Sequence, residues 1–206
     1  MKEAMLNPYE YHPERGLYYH EISEGLLVGT QPRLPHDIDV LQHEAAVTTV
    51  LNLQEDRDLE YWGVNIWDLE QRCRELSINL VRSPAKDFDP HSLRKMLPAC
   101  CAEIDAALEN DGRVYVHCTA GLGRSPAAAI AYLYWFRNME LDDAYEHLTS
   151  QRPCGPKRDS IRGATYDLMK GGAWETFSEL PPHHYATLTV EERAHVQQCV
   201  RSCRHN

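Results

Sequence analysis

Val114-Tyr115-Val116-His117-Cys118-Thr119-Ala120-Gly121-Leu122-Gly123-Arg124-Ser125-Pro126 decides how the rest of the chain is read. A β-branched and aromatic run ends at a cysteine, and a loop with two glycines follows. Pro126-Ala127-Ala128-Ala129-Ile130-Ala131-Tyr132-Leu133 then reads as a helix with proline in its first turn. Strand, tight loop and helix N-terminus gather backbone N–H groups and the positive end of a helix dipole around one point, which suits an anion. Gly121 and Gly123 permit φ values that turn successive N–H groups inward. Five residues separate Cys118 from Arg124, so the guanidinium can fold back over the loop and grip two oxygens of a bound phosphate. The same field would depress the thiol pKa and keep Cys118 a thiolate near neutrality. A cysteine at a buried strand end is by itself more often a small core residue, and Gly-x-Gly is common in turns. The joint pattern is far rarer than its parts.

The 206 residues have room for one domain and an extension, and 43% hydrophobic with 25% charged residues is the composition of a folded protein. The net charge of −10 disfavours nucleic acid and anionic membrane surfaces, which call for a basic face. No apolar run reaches the ~18 residues of a bilayer span. Met1-Lys2-Glu3-Ala4 reads as neither a secretory signal nor a basic, acid-poor transit peptide. Seven cysteines are an odd count. Cys199-x-x-x-Cys203 lacks partners at zinc spacing, so free thiols, no metal and no other cofactor are expected. Nothing in the sequence demands an oligomer, and a monomer is the default.

Strand signals fall at 19–22, 26–28, 47–53, 78–82 and 113–117. Helical spacing falls at 35–44, 68–76, 93–108 with a break at Pro98, 124–137, 141–152, 160–170 and 189–201. Residues 54–60 read as a charged loop. The alternation implies an α/β domain with a central, mainly parallel sheet flanked by helices, and a ligand at the carboxyl ends of the strands, where Cys118 lies. Residues 1–18 form an aromatic segment packed on the domain, with Tyr9 and Tyr11 alternating so that both rings leave one side of an extended strand. The domain itself would run over 19–170. A helical extension, 171–206, would dock on it through Trp174, Phe177 and Leu180.

A thiolate attacking phosphorus needs an acid for the departing oxygen. Ala85-Lys86-Asp87-Phe88-Asp89-Pro90 follows a strand at the same sheet edge and offers two carboxylates. Asp89-Pro90 looks like a turn and helix start, the structural role of an aspartate, which makes Asp87 the better of the two candidates for the acid. Ser125 could donate to the departing thiolate or merely cap the helix. His117 is expected to order the loop.

His117-Cys118 through Arg124-Ser125 resembles the signature of the cysteine-dependent phosphatases, the protein tyrosine and dual-specificity superfamily. The form Cys118-Thr119-Ala120-Gly121-Leu122-Gly123-Arg124, together with Tyr9-Glu10-Tyr11-His12, Glu60-Tyr61-Trp62-Gly63 and Arg152-Pro153-Cys154-Gly155-Pro156, is similar to plastid glucan (starch) phosphatases of the small type without a carbohydrate-binding module. That resemblance implies a dual-specificity phosphatase fold, catalytic Cys118, Arg124 and Asp87, and a phosphate loop of Thr119, Ala120, Gly121, Leu122, Gly123 and Ser125. It implies an aromatic glucan channel of Tyr9, Tyr11, Trp62 and Phe88, and a second glucan contact at Lys170, Tyr185 and Glu192. It further implies phosphorylated starch as partner, a preference for glucose C3 and a plastid location. Lipid phosphatases tend to place lysines inside this loop, where this chain has Thr119 and Leu122. The competing readings are a dual-specificity protein phosphatase and a non-catalytic glucan-binding scaffold.

Overall fold

Alternation along the central strands sorts the core into two. In β2 (Leu26–Gly29), β3 (Thr49–Asn52) and β5 (Val114–His117), the side chains of Leu26, Val28, Leu51, Val114 and Val116 join one buried cluster. Leu27, Val50 and Tyr115 join the other. Strands apolar on both faces are what a covered parallel sheet requires. The sheet order is β1-β2-β5-β3-β4, with β1 (Tyr19–Ser23) antiparallel at one edge and β4 (Asn79–Arg82) parallel at the other. This computed structural model describes residues 6–109, 111–170, 181 and 183–205.

One face is covered by α1 (Pro35–Ala45), α2 (Asp56–Trp62) and α3 (Ile66–Glu75), through Ile38, Leu41, Leu59, Leu69 and Cys73. The other carries α4 (Pro90–Glu109), α5 (Arg124–Phe136), α6 (Leu141–Gln151), α7 (Arg158–Lys170) and α8 (Val190–Ser202). Helix α5 is buried from Arg124 through Trp135, so it forms the middle of its layer and the loop before it is held from below. Among the described residues no helix is long and apolar enough to cross a membrane, and all seven cysteines are free.

Three expectations need correction. Residues 54–60 are not a charged loop: α2 occupies most of them, with Asp56 and Asp58 in its first turn and Gly63 closing it at φ 62°. Pro98 does not break α4, which continues through it. Tyr9 and Tyr11 are not on an extended strand; Tyr9 sits in a turn where the Glu10 N–H donates to the Asn7 carbonyl at 3.2 Å, and the Asn7 side chain accepts from the Tyr9 N–H.

Trp174, Phe177 and Leu180 lie outside the described residues. Beyond them the extension is anchored by other means. Thr189 and Glu192 cap α8 reciprocally, and Val196 and Val200 enter the core. Arg193 donates to the Tyr134 and Met139 carbonyls, Gln197 to that of Trp135, and Arg201 pairs with Asp105 and Glu109.

Candidate active site

Strand β5 delivers Cys118 to the start of a loop that ends as α5 begins at Arg124, so the thiol lies under a helix N-terminus. The cysteine is 4% exposed. Burial alone would push its thiol up, but the Arg124 guanidinium, the Ser125 hydroxyl and the backbone N–H groups of Ser125 and Gly121 hold it below the ordinary value. The Ser125 hydroxyl donates to Sγ at 3.4 Å. Elsewhere burial wins: it pushes Cys73 and Cys154 up to about 11 and Cys100 up to about 12. Cys118 is thus set apart by its surroundings. Burial also pushes His117 down to about 4; the ring stays neutral, stacks on Tyr115 and lies with Nδ1 3.2 Å from the Cys118 carbonyl, an ordering role as expected.

The two loop glycines differ. Gly121 has φ 67°, and a Cβ there would stand 2.5 Å from the Gly29 carbonyl oxygen and 2.5 Å from Arg152 Nη2. Gly123 has φ −127°, and a Cβ would meet nothing within 4 Å. The expectation that both supply special φ values therefore holds for Gly121 alone. Gly121→Ala should destabilise the loop and abolish activity, whereas Gly123→Ala should leave the melting temperature within about 2 °C, a shift of at most about 1 kcal/mol. A thermal melt and one activity assay on the two variants check the contrast.

Arg124 is 3% exposed and divided in use. Its Nη1 donates to Asp58 Oδ2 at 2.6 Å and to the carbonyls of Ala85 and Leu53 at 2.9 and 3.3 Å. Its Nε lies 3.2 Å from Asp87 Oδ1 as an ion pair but makes no hydrogen bond among the described residues. The Nε–Nη2 edge is therefore the one left for two oxygens of an anion. Asp87 also accepts from the Phe88 N–H at 3.1 Å and is open to the cleft. Asp89 is spent on structure: its carboxylate accepts from the N–H groups of Ser92 and His91, and these bonds, with Lys86 and His91 nearby, hold it below the usual range.

These groups floor a cleft of about 1320 Å³ whose rim carries Tyr9, Tyr11, Tyr61, Trp62 and Phe88. Phe88 stands out at 99% exposure with φ 56°, a left-handed backbone held at a ring with no packing role. Trp62 meets Tyr11 and Tyr61 edge-on, with ring centroids 4.8 and 5.1 Å apart, and also packs against the second core cluster. All seven expected catalytic and channel residues come together here. Lys170, Tyr185 and Glu192 do not. Lys170 is exposed at the end of α7, Tyr185 gives its carbonyl to the Tyr134 hydroxyl, and Glu192 caps α8.

Sequence reasoning missed Asp58 and Tyr61 as site residues, and it missed Arg152. The Arg152 side chain is fully buried and donates to the Gly121 and Ala120 carbonyls at 2.9 and 3.1 Å, fixing the loop from behind. Asp58 had a signal, the third position of a helix closed by glycine, but in so short a helix with only Leu59 buried no periodicity exposes it.

The family model for the catalytic domain of dual specificity phosphatases matches residues 29–163. The amyloplastic phosphoglucan phosphatase DSP4 of Castanea sativa is 39% identical over 173 residues, 83% of this chain and 46% of that protein. The chloroplastic phosphoglucan phosphatase LSF1 of Arabidopsis thaliana is 35% identical over 159 residues, 77% of this chain and 27% of that protein. The chain thus spans less than half the length of either relative. The crystal structure of the human tyrosine phosphatase-like serine/threonine/tyrosine-interacting protein superposes with a TM-score of 0.60, at 23% identity, over 75% of this chain and 98% of that one, which speaks to the fold. The matched span takes in β3, β4, β5 and the whole phosphate loop, and on it this chain belongs to the dual specificity phosphatase family.

Proposed function

We propose that the protein removes phosphate monoesters from starch-like glucans through a cysteinyl-phosphate intermediate. The observation that carries this reading is a depressed thiol and a buried arginine at the floor of a wide cleft rimmed by aromatic rings. Flat rings stack on apolar sugar faces, and five of them stand on this rim. In the first step the Cys118 thiolate attacks phosphorus as the P–O ester bond breaks. Asp87 gives its proton to the departing sugar oxygen, and Arg124 with the loop N–H groups holds the equatorial oxygens. In the second step Asp87 takes a proton from water, the water oxygen bonds to phosphorus, and the P–S bond breaks. The pair on sulfur is then received against the Ser125 hydroxyl, 3.4 Å away.

The relatives' names carry the substrate class and the plastid location to this chain, and the preference for glucose C3 rests on resemblance. The phosphatase domain is assigned to 19–170, with 1–18 contributing Tyr9 and Tyr11 and 171–206 docked through α8. Lys170, Tyr185 and Glu192 are kept as a second glucan contact, away from the cleft; Tyr185 lies close enough to Glu192 for that carboxylate to push its hydroxyl up, after burial, which dominates. The deciding experiment compares phosphate release from purified starch granules with release from a phosphotyrosyl peptide. Preference for the peptide would favour the protein phosphatase reading, and no release from either would favour the scaffold.

The rim can be tested ring by ring. Phe88→Ala should reduce glucan efficiency by about tenfold to hundredfold, the 1–3 kcal/mol of a lost stacking platform, and a small aryl phosphate should lose less. Its melting temperature should not move, because the ring is fully exposed. Trp62→Ala is expected to lower both activities and the melting temperature, since that ring also packs against the second core cluster. Equal losses on both substrates for Phe88→Ala would remove the platform.

A further inference from the structure

Two amide side chains beneath the cleft have no part in the chemistry above. Gln31 is 2% exposed and Gln54 is 0% exposed, and amides are costly to bury without use. They connect the rim to the loop. Gln54 Nε2 donates to Gln31 Oε1 at 2.7 Å and to Thr119 Oγ1 at 3.1 Å, and Gln31 Nε2 donates to the Tyr11 hydroxyl oxygen at 2.8 Å. Arg124 Nη2 adds a longer bond to Thr119 Oγ1, at 3.4 Å. The backbone fixes the pair, with the Gln31 N–H on the Thr119 carbonyl at 2.9 Å and the Gln54 N–H on Asn52 Oδ1 at 2.7 Å.

The direction of these bonds governs what the two end hydroxyls can do. A hydroxyl has one hydrogen and two lone pairs. Thr119 Oγ1 accepts both of its bonds, which leaves its hydrogen for an oxygen in the cleft. Tyr11 accepts from Gln31, which leaves its hydrogen likewise. Turning over one amide alone would set like against like, so the pair holds both hydroxyls in a common sense. We propose that Gln31 and Gln54 are positioning residues that aim the Tyr11 and Thr119 O–H groups into the cleft as donors, Tyr11 to a glucan oxygen and Thr119 to a phosphoryl oxygen. This rests on the glucan phosphatase reading of the same cleft.

The test is a pair of double-mutant cycles on aryl phosphate and phosphorylated glucan, with thermal melts. Thr119→Val should lower kcat/KM on both substrates by about tenfold, the scale of a hydrogen bond to a charged group. Gln54→Met should do the same by releasing Thr119, and the double variant should be no worse than the poorer single one. Tyr11→Phe, made at the rim and away from the core, should raise the glucan KM about fivefold more than the aryl phosphate KM, and Gln31→Met should not add to it. Losses that add within each pair and follow the melting temperature would overturn the proposal. Wild type inactive on both substrates would instead fail the phosphatase reading, and this proposal with it.

Discussion

Cys118→Ser lowers turnover of every phosphate monoester by orders of magnitude while the fold and binding of inorganic phosphate persist. A serine hydroxyl is not ionised at neutral pH, whereas Cys118 is held below the ordinary thiol value against its own burial. The substitution is nearly isosteric in a packed site, so the melting temperature stays close to wild type. Single-turnover phosphate release checks it. Activity within about tenfold of wild type would remove Cys118 from the nucleophile role. A pH profile adds a second readout. The thiolate is the active form, so kcat/KM rises with pH on the acid side, and the limb sits low because Arg124 and Ser125 favour the thiolate. Ser125→Ala removes one of those supports, and the limb then moves to higher pH.

The loop was legible because its chemistry is contiguous. Cysteine, glycines and arginine lie within one turn of chain, and any strand-to-helix connection there places Cys118 and Arg124 together. The sheet was legible for a related reason: Leu26–Gly29, Thr49–Asn52 and Val114–His117 are apolar on both faces, as only covered strands are. What stayed hidden acquires its role across distance. Asp58 reaches Arg124 over 66 positions, and Gln54 reaches Thr119 over 65. No local pattern marks a carboxylate or an amide for such a partner. Tyr9 and Tyr11 were placed in the right cleft by the wrong geometry, since a turn brings them there. Gly123 looked as constrained as Gly121 because composition does not reveal which glycine carries the positive φ. Helix α2 was missed because its seven residues bury only Leu59, too few for a period to show.

Asp87→Ala should cut turnover of sugar phosphates by roughly 10²–10⁴-fold, the usual span of general acid–base catalysis. A sugar alkoxide is a poor leaving group, so its P–O bond breaks only as a proton arrives. An aryl phosphate departs as a stabilised phenolate, so the first, phenol-releasing step should lose far less in the same variant. The geometry favours Asp87 over Asp89 for a specific reason. Asp87 opens on the cleft beside the Arg124 guanidinium, with one oxygen on the Phe88 N–H and room for the other to face a substrate. Asp89 is tied by its Oδ1 to the N–H groups of His91 and Ser92 at the start of α4, which commits that oxygen to the helix end. Asp89→Ala should therefore lower the melting temperature by uncapping α4 and affect sugar and aryl phosphates equally. The two variants assayed on both substrates separate the roles. A leaving-group-dependent loss in Asp89→Ala with none in Asp87→Ala would reverse the assignment. The same pair also bears on water activation: once the aryl group has left, Asp87→Ala still lacks a base, and trapped cysteinyl-phosphate should accumulate after a burst of phenol.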